Sequence, residues 1–447
     1  MHVIVLGAGE VGSYVAERLS QQEVDVAVVE TDPIALREVE ERLDVQVVHG
    51  SGVIPSVLAD AGVDRAELLV AVTNDDAANL MAALVARQAG VKSTLVRLES
   101  EELRGEAAAK LREVVGADLV IDPDAEAARD IIELLEVPGA SEVEYLAAGE
   151  VMIVGAKLSE SSSLVGRTLH QVASEYEPNW EFLFGTILRD GQTVIPRGNY
   201  ELRVDDLVRV LALRANRSEV SELLDLKLKA PRRVLLLGGG RTAELVATPL
   251  VQRGAEVVIV ERDHDRAREL SEKLHRVTVM EGDVTDASVL LDAEVGSFDA
   301  VAALTGEDDA NIISCLFANN QGARETLAIA HRLELVPLLR DIGIDASLSP
   351  RTATADRVIA MVRGEVAGVA TSLEGEVEIL EFEVAPGSDA DGAKVSEMHL
   401  PHDVLLGAVV RDGKASIARG HSDLAAGDHV VVFAMPDRAN RVGKLFK

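Results

Sequence analysis

The sequence predicts an α/β protein in which two Rossmann-like, doubly wound parallel-sheet domains alternate with two small α+β domains. Three observations lead there. Residues 3–12 read VIVLGAGEVG, an apolar run opening into a glycine turn, and residues 234–243 repeat the pattern as VLLLGGGRTA, 231 positions on. Short β-branched runs alternate with stretches of helical spacing, the rhythm of a βαβ array. Aromatic residues are only 3 % of a chain that is 47 % hydrophobic, so its cores must be built from Val, Leu, Ile and Ala, the usual material of parallel sheets covered by helices.

Taken in order, the first unit has expected strands over residues 3–6, 24–29, 45–49, 68–72, 93–97 and 119–121, with helical spacing between them, as over 78–89. A smaller, strand-rich unit follows, with glycine turns and one helix near 169–174. Both kinds of unit then recur. Glu30 and Asp32 pair with Glu261 and Asp263 at the 231 shift, and Thr73, Asp76 and Asn79 pair with Thr305, Asp308 and Asn311 at 232. Phe184-Gly185, Arg189-Asp190-Gly191, Arg197-Gly198 and Asp206 pair with Leu406-Gly407, Arg411-Asp412-Gly413, Arg419-Gly420 and Asp428 at 222. So many ordered matches mark a duplication. The expected domains are 1–136, 137–226, 231–364 and 365–447, joined by linkers at 136–140, 227–233 and 363–368.

Composition narrows the function. A chain of 447 residues holds several domains. Its 76 acidic against 44 basic residues give a formal charge of −32, a field that repels phosphate backbones and excludes broad nucleic-acid binding. The acidic excess, with little Lys, suits a protein kept soluble in concentrated salt; an ordinary acidic cytoplasmic protein is the alternative. The single cysteine, Cys315, rules out an intrachain disulfide, and its apolar helical surroundings suit a core residue better than a nucleophile. The sequence opens directly into a strand, and no run approaches the roughly 20 apolar residues of a membrane span. The expectation is a cytosolic protein that meets a membrane only through a partner.

The chemistry gathers at the glycine turns. Gly7, Gly9 and Gly12, with Glu10 and Val11 between them, form a GxGxxG between a strand and a helix. Such glycines permit a tight turn, a close pyrophosphate and helix–sheet packing, with the helix N–H groups aimed at phosphate. Glu30, at the tip of the next strand, suits both ribose hydroxyls and repels a 2′-phosphate, favouring NAD(H) or an adenosine nucleotide. The second copy keeps Gly238, Gly240 and Glu261, places Arg241 where the first has Glu10, and continues with Thr242 and Ala243, so that Ala replaces the third glycine. Ligand binding and a vestigial scaffold are both open for it. Ser51 and Asp283 follow the third strands, where adenine would lie. Thr73, Asn74 and Asp75, and Thr305 in the second copy, face the glycine turns across the crevice; helix capping is the competing role for Asp75 and Asp308. Arg97 ends the fifth strand within reach of a phosphate, and Ile329 stands in its place in the second copy.

Groups that catalysis would require are not evident. The ten histidines are scattered, with His399 and His402 flanking a proline, and no Walker A, HExxH or GxSxG sequence occurs. No catalytic or metal-binding set is expected. An NAD-dependent dehydrogenase remains an alternative on the glycine motif alone, but it lacks a positioned acid–base group.

These features together resemble the RCK (also called KTN) family. The glycine-rich N unit, the acid at the second strand tip, the TNDD-type turn and the small C unit with its RDG…RG…GD pattern carry the resemblance, which covers essentially the whole chain. Tandem units of this length resemble the cytosolic regulatory subunits of Trk-type potassium uptake systems. The resemblance implies NAD(H) and ATP or ADP as ligands of the N domains and self-association to a dimer or tetramer. It also implies a membrane-embedded potassium transporter partner of the TrkH or TrkG type and control by rearrangement of a ring of domains. The same fold serving another cation transporter or antiporter is the alternative.

Overall fold

In a computed structural model of the chain, residues 1–21, 24–177, 181–226, 229–350, 352, 355, 358, 361–362, 368–371 and 377–447 are described. The linkers expected at 227–233 and 363–368 lie partly outside them. Two units emerge, one of residues 1–127 with 350–364 and the other of residues 128–349 with 365–447.

The first unit holds a six-stranded parallel sheet of β1 (His2–Leu6), β2 (Asp25–Glu30), β3 (Gln46–His49), β4 (Leu68–Ala71), β5 (Ser93–Arg97) and β6 (Leu119–Ile121). Its order is β3-β2-β1-β4-β5-β6, with every pairing parallel. This is the doubly wound order, whose direction reverses between β1 and β4, so a crevice opens at the carboxyl ends of those strands. All five residues of β1 are buried, as a central strand covered on both faces requires. The helix Asp76–Ala89 begins two residues earlier than its spacing suggests, because the Asp75 carboxylate accepts the Ala78 N–H and caps it. Segment 350–364 belongs to this unit, and Ala355 and Val358 are buried in its core.

In the second unit, a five-stranded sheet comprises β7 (Glu142–Leu146), β8 (Val151–Lys157), β9 (Phe182–Arg189), β10 (Gln192–Val194) and β11 (Leu207–Leu213). It runs β10-β9-β11-β8-β7 and is antiparallel. The second parallel sheet has β12 (Arg233–Leu237), β13 (Glu256–Glu261), β14 (Val277–Glu281), β15 (Ala300–Ala303), β16 (Thr326–Ile329) and β17 (Ala346–Leu348), in the order of the first. The last sheet has β18 (Gly368–Thr371), β19 (Glu378–Glu383), β20 (Val404–Arg411), β21 (Lys414–Ile417) and β22 (His429–Ala434), in the order β18-β19-β22-β20-β21.

The repeated RDG triplets are hairpin turns. Asp190 and Gly191 between β9 and β10 have φ of +53° and +75°, and Asp412 and Gly413 between β20 and β21 have +52° and +71°, the left-handed pair a two-residue hairpin favours. The preceding arginines fold back onto buried acids. Arg189 grips Asp206 through two bonds of 2.6 and 2.7 Å, and Arg411 grips Asp428 through two of 2.7 Å.

The two antiparallel sheets share a core of Ile153, Leu211, Ile379, Val431, Phe433 and their neighbours. A Cβ on Gly185 would lie 2.4 Å from the Phe433 ring, and one on Gly407 would lie 2.8 Å from Leu211. The paired glycines noted in the sequence are therefore seats for side chains of the opposite sheet. The first antiparallel domain is tied to the second parallel one. Arg253 meets Glu136 at 2.6 Å, the Gly139 N–H donates to Glu325 at 2.8 Å, and Arg340 faces Glu142 at 3.8 Å. Glu136, assigned to a linker by sequence, is the last residue of the helix Pro123–Glu136 and makes the first of these ties.

Candidate functional site

Each glycine turn is shaped by its own sheet. Gly7 and Gly238 have φ of +103° and +101°, and a Cβ on either would press on Thr73 or Thr305 at 3.3 and 3.0 Å. A Cβ on Gly12 would lie 1.9 Å from the Gly7 carbonyl oxygen. These positions are glycine, or in the second copy the buried Ala243, for reasons internal to the fold. Gly9 and Gly240 differ. Each precedes a helix, Glu10–Ser20 or Arg241–Gln252, in extended backbone with no side-chain cap, and a Cβ on either would meet nothing within 4 Å. Each turn therefore leaves open space at a helix N-terminus, the kind of place that receives a phosphate. Glu10 and Arg241 are the first residues of those helices. Val11 and Thr242 behind them are buried.

The acids at the second strand tips brace the turns. Glu30 accepts the N–H groups of Ala8 (2.7 Å), Thr31 (2.6 Å) and Asp32 (2.8 Å) and the Thr31 hydroxyl (3.0 Å). Burial opposes its ionisation, but these donors outweigh it and hold the carboxyl below its ordinary range. Glu261 accepts from Gly239 (2.6 Å) and Asp263 (2.8 Å). Both stand directly beside the glycine turns.

In the second copy Gly238, Gly240, Glu261, Asp283 and Thr305 line one cleft of about 450 Å³, together with Arg262, Thr285, Gly306 and Glu307. The Asp283 carboxyl accepts the hydroxyl and N–H of Thr285, which hold it ionised below the usual carboxylate range. In the first copy Gly7, Glu30, Ser51 and Thr73 occupy the matching strand ends. Ser51 keeps its carbonyl in the following turn, bonded to the Ile54 N–H.

The turns after β4 and β15 differ from expectation. The hydroxyls of Thr73 and Thr305, proposed as ligand contacts, donate inward to Asn79 (2.7 Å) and Asn311 (2.6 Å). The sequence carried these asparagines as landmarks without a role. Asn79 also donates to the Thr73 and Arg97 carbonyls, and Asn311 to those of Thr305 and Ile329, so each amide clamps two adjacent strand ends. Asp75 is the cap it was weighed as. Asp308 is not: like Asp76, it accepts two N–H groups of the next strand's loop, those of His331 and Arg332. Although burial opposes it, they keep the Asp308 carboxyl below its ordinary range. The Arg97 guanidinium lies between Asn74 (3.0 Å) and Glu99. Cys315 is fully buried, donates to the Leu327 carbonyl at 3.3 Å, and has its thiol pushed up to about 12 by burial, which makes it a core residue.

A family model described as the TrkA-N domain matches residues 3–123 and 234–350, and one described as the TrkA-C domain matches 153–225 and 379–447. The chain belongs to the TrkA family. TrkA-family relatives match along its whole length. The "Trk system potassium uptake protein TrkA" of Halomonas elongata is 34 % identical over 461 residues, covering 100 % of this chain and 99 % of the relative. The "Trk system potassium uptake protein TrkA homolog" of Archaeoglobus fulgidus is 32 % identical over 449 residues, covering both chains fully. Among solved structures, the GsuK RCK domain aligns with a TM-score of 0.62 at 16 % identity, over 100 % of this chain and 94 % of that one. The GsuK channel bound to NAD aligns at 0.63 and 15 %, over 100 % and 78 %. These two likenesses establish for the TrkA-family chain an RCK fold, the one its motifs resemble. Among the described residues, no helix is long and apolar enough to cross a membrane.

Proposed function

We propose that this chain is a nucleotide-sensing regulatory subunit of a membrane potassium-uptake system. The observation that carries the nucleotide part is the open space before Gly9 and Gly240. Neither position needs glycine for the fold, so the absent side chain is left to the approach of a ligand. The uptake part rests on full-length likeness to proteins named for Trk potassium uptake.

The ligands proposed are NAD(H) and ATP or ADP, with the helix N-termini receiving phosphate and Glu30 or Glu261 receiving ribose hydroxyls. The role is regulatory, not catalytic. A nucleotide that favours one arrangement of the domains shifts the population toward it; one that binds all arrangements equally shifts nothing. In the second unit the route outward is short. The helix Arg241–Gln252 starts at the glycine turn, and Arg253 at its far end meets Glu136. The proposed assembly is a dimer or tetramer on the cytoplasmic face of a membrane, held there by a transporter subunit of the TrkH or TrkG type whose gating follows the ring.

Calorimetric titration with NADH, NAD, NADP, ATP and ADP tests the ligand, repeated with Glu30→Ala and Glu261→Ala. Binding of adenine nucleotides that either variant weakens supports the reading, and no binding at any ionic strength refutes it. Potassium uptake by cells that depend on this chain and its transporter tests the role. Uptake unaffected by deleting the chain would overturn it.

A further inference from the structure

The two nucleotide clefts are not copies at their lips. In the second, Arg262 follows the ribose-side acid Glu261, and Glu307 follows the Thr305-Gly306 turn. Both line the cleft, and they meet at 3.0 Å. The two strand ends they extend, β13 and β15, flank β12, whose glycine turn lies between them. The ion pair therefore joins one lip to the other on either side of the place where a pyrophosphate would sit.

The first cleft has no such pair, for a local reason. At the matching positions stand Thr31, whose hydroxyl is bonded to Glu30, and Asp75, whose carboxylate is spent capping Ala78. Glu307 is one methylene longer than Asp75 and makes no side-chain cap to its helix. Its carboxylate reaches Arg262 instead.

From this we infer that Arg262 is a phosphate-binding residue of the second cleft, held off by Glu307 until a nucleoside polyphosphate displaces it; the inference rests on the nucleotide reading above. Arg262 and Glu307 side chains are 67 % and 60 % exposed, so water screens their pair and it is weak. A pyrophosphate carries more charge than one carboxylate and offers the guanidinium a bidentate partner. The exchange removes a competitor from the cation and opens the lips in one step. It also gives the second site a response to ligand charge that the first lacks.

ADP titration of the full chain tests this in a Gly9→Asp background, which sets a carboxylate in the open space of the first site. Glu307→Gln releases Arg262 and is expected to tighten ADP about two- to five-fold. Arg262→Gln is expected to weaken ADP on the order of ten-fold. Adenosine, with no phosphate, should respond to neither. ADP affinity within two-fold of the parent in both variants overturns the inference, as does weakening by Glu307→Gln. If ADP binds the wild-type chain but not the Gly9→Asp background, the second cleft is not a nucleotide site; the inference falls and the sensing role rests on the first. If ADP and the other nucleotides fail on the wild-type chain, the nucleotide reading falls with it.

Discussion

The Glu30 carboxylate accepts the backbone N–H of Ala8 at 2.7 Å, so the acid that ends the second strand holds the glycine turn that ends the first. The side chain proposed to receive ribose hydroxyls thus also fixes the shape of the turn. Because its folded pKa is depressed, Glu30 contributes stability that is present above its ordinary value of 4.5 and is lost as pH falls through the folded value. Glu30→Gln removes that contribution. Thermal unfolding followed between about pH 6 and pH 3 should show a steeper acid loss in the wild type than in the variant. Parallel curves would refute the linkage.

Gly12→Ala places a methyl 1.9 Å from the Gly7 carbonyl oxygen, and the turn or the helix must move. The expected cost is about 1–3 kcal/mol. The reverse change in the second copy, Ala243→Gly, meets no clash and should cost only about 1 kcal/mol of helix propensity and lost packing. Urea unfolding midpoints of the two variants test the contrast.

Asp206 is fully buried and engaged by Arg189 and the Arg203 N–H. Asp206→Ala leaves the guanidinium without its partner beside a core and should destabilise by about 3 kcal/mol. A double-mutant cycle with Arg189→Ala should recover most of that loss. A loss below about 1 kcal/mol would mean that the pair is decorative.

Glu133 lies in the helix Pro123–Glu136, where burial, then the negative charges of Asp130 and Glu136, outweigh Arg129 and Arg214 and raise its carboxyl to about 7. A raised carboxyl is stabilising in its neutral form, so its contribution is fully present below 4.5 and is lost as pH rises through about 7. Glu133→Gln should therefore stabilise the second unit by about 1–2 kcal/mol at pH 8, because partial exposure screens the full shift, and by little at pH 5. Equal effects at both pH values would exclude the titration.

What the sequence made legible is what local chemistry dictates. Apolar runs before glycine turns placed the parallel strands, because each depends on neighbours a few residues away. The clamp made by Asn79 was beyond reach, since one of its acceptors, the Arg97 carbonyl, arrives from the next strand. The same holds for Asp308, whose donors lie in the loop after β16, and for Thr73, whose hydroxyl turns inward only because Asn79 is there. The constant spacing from Thr73 to Asn79 and from Thr305 to Asn311 was the available signal. Arg262 gave none: only the cleft sets it opposite Glu307.

Gly185 seats Phe433 of the other antiparallel sheet, and Gly407 seats Leu211. At the 222 shift Gly185 corresponds to Gly407 and Leu211 to Phe433, so the two contacts exchange under the internal repeat. That is the grammar of a homodimer, written inside one polypeptide. Two identical chains would be obliged to present the same residue at both seats. A single chain carries no such obligation, and here one seat holds the aromatic Phe433 and the other the aliphatic Leu211. Covalent fusion thereby turns a symmetric pair into two halves that can specialise, the freedom that lets one lip carry Thr31 and its counterpart Arg262.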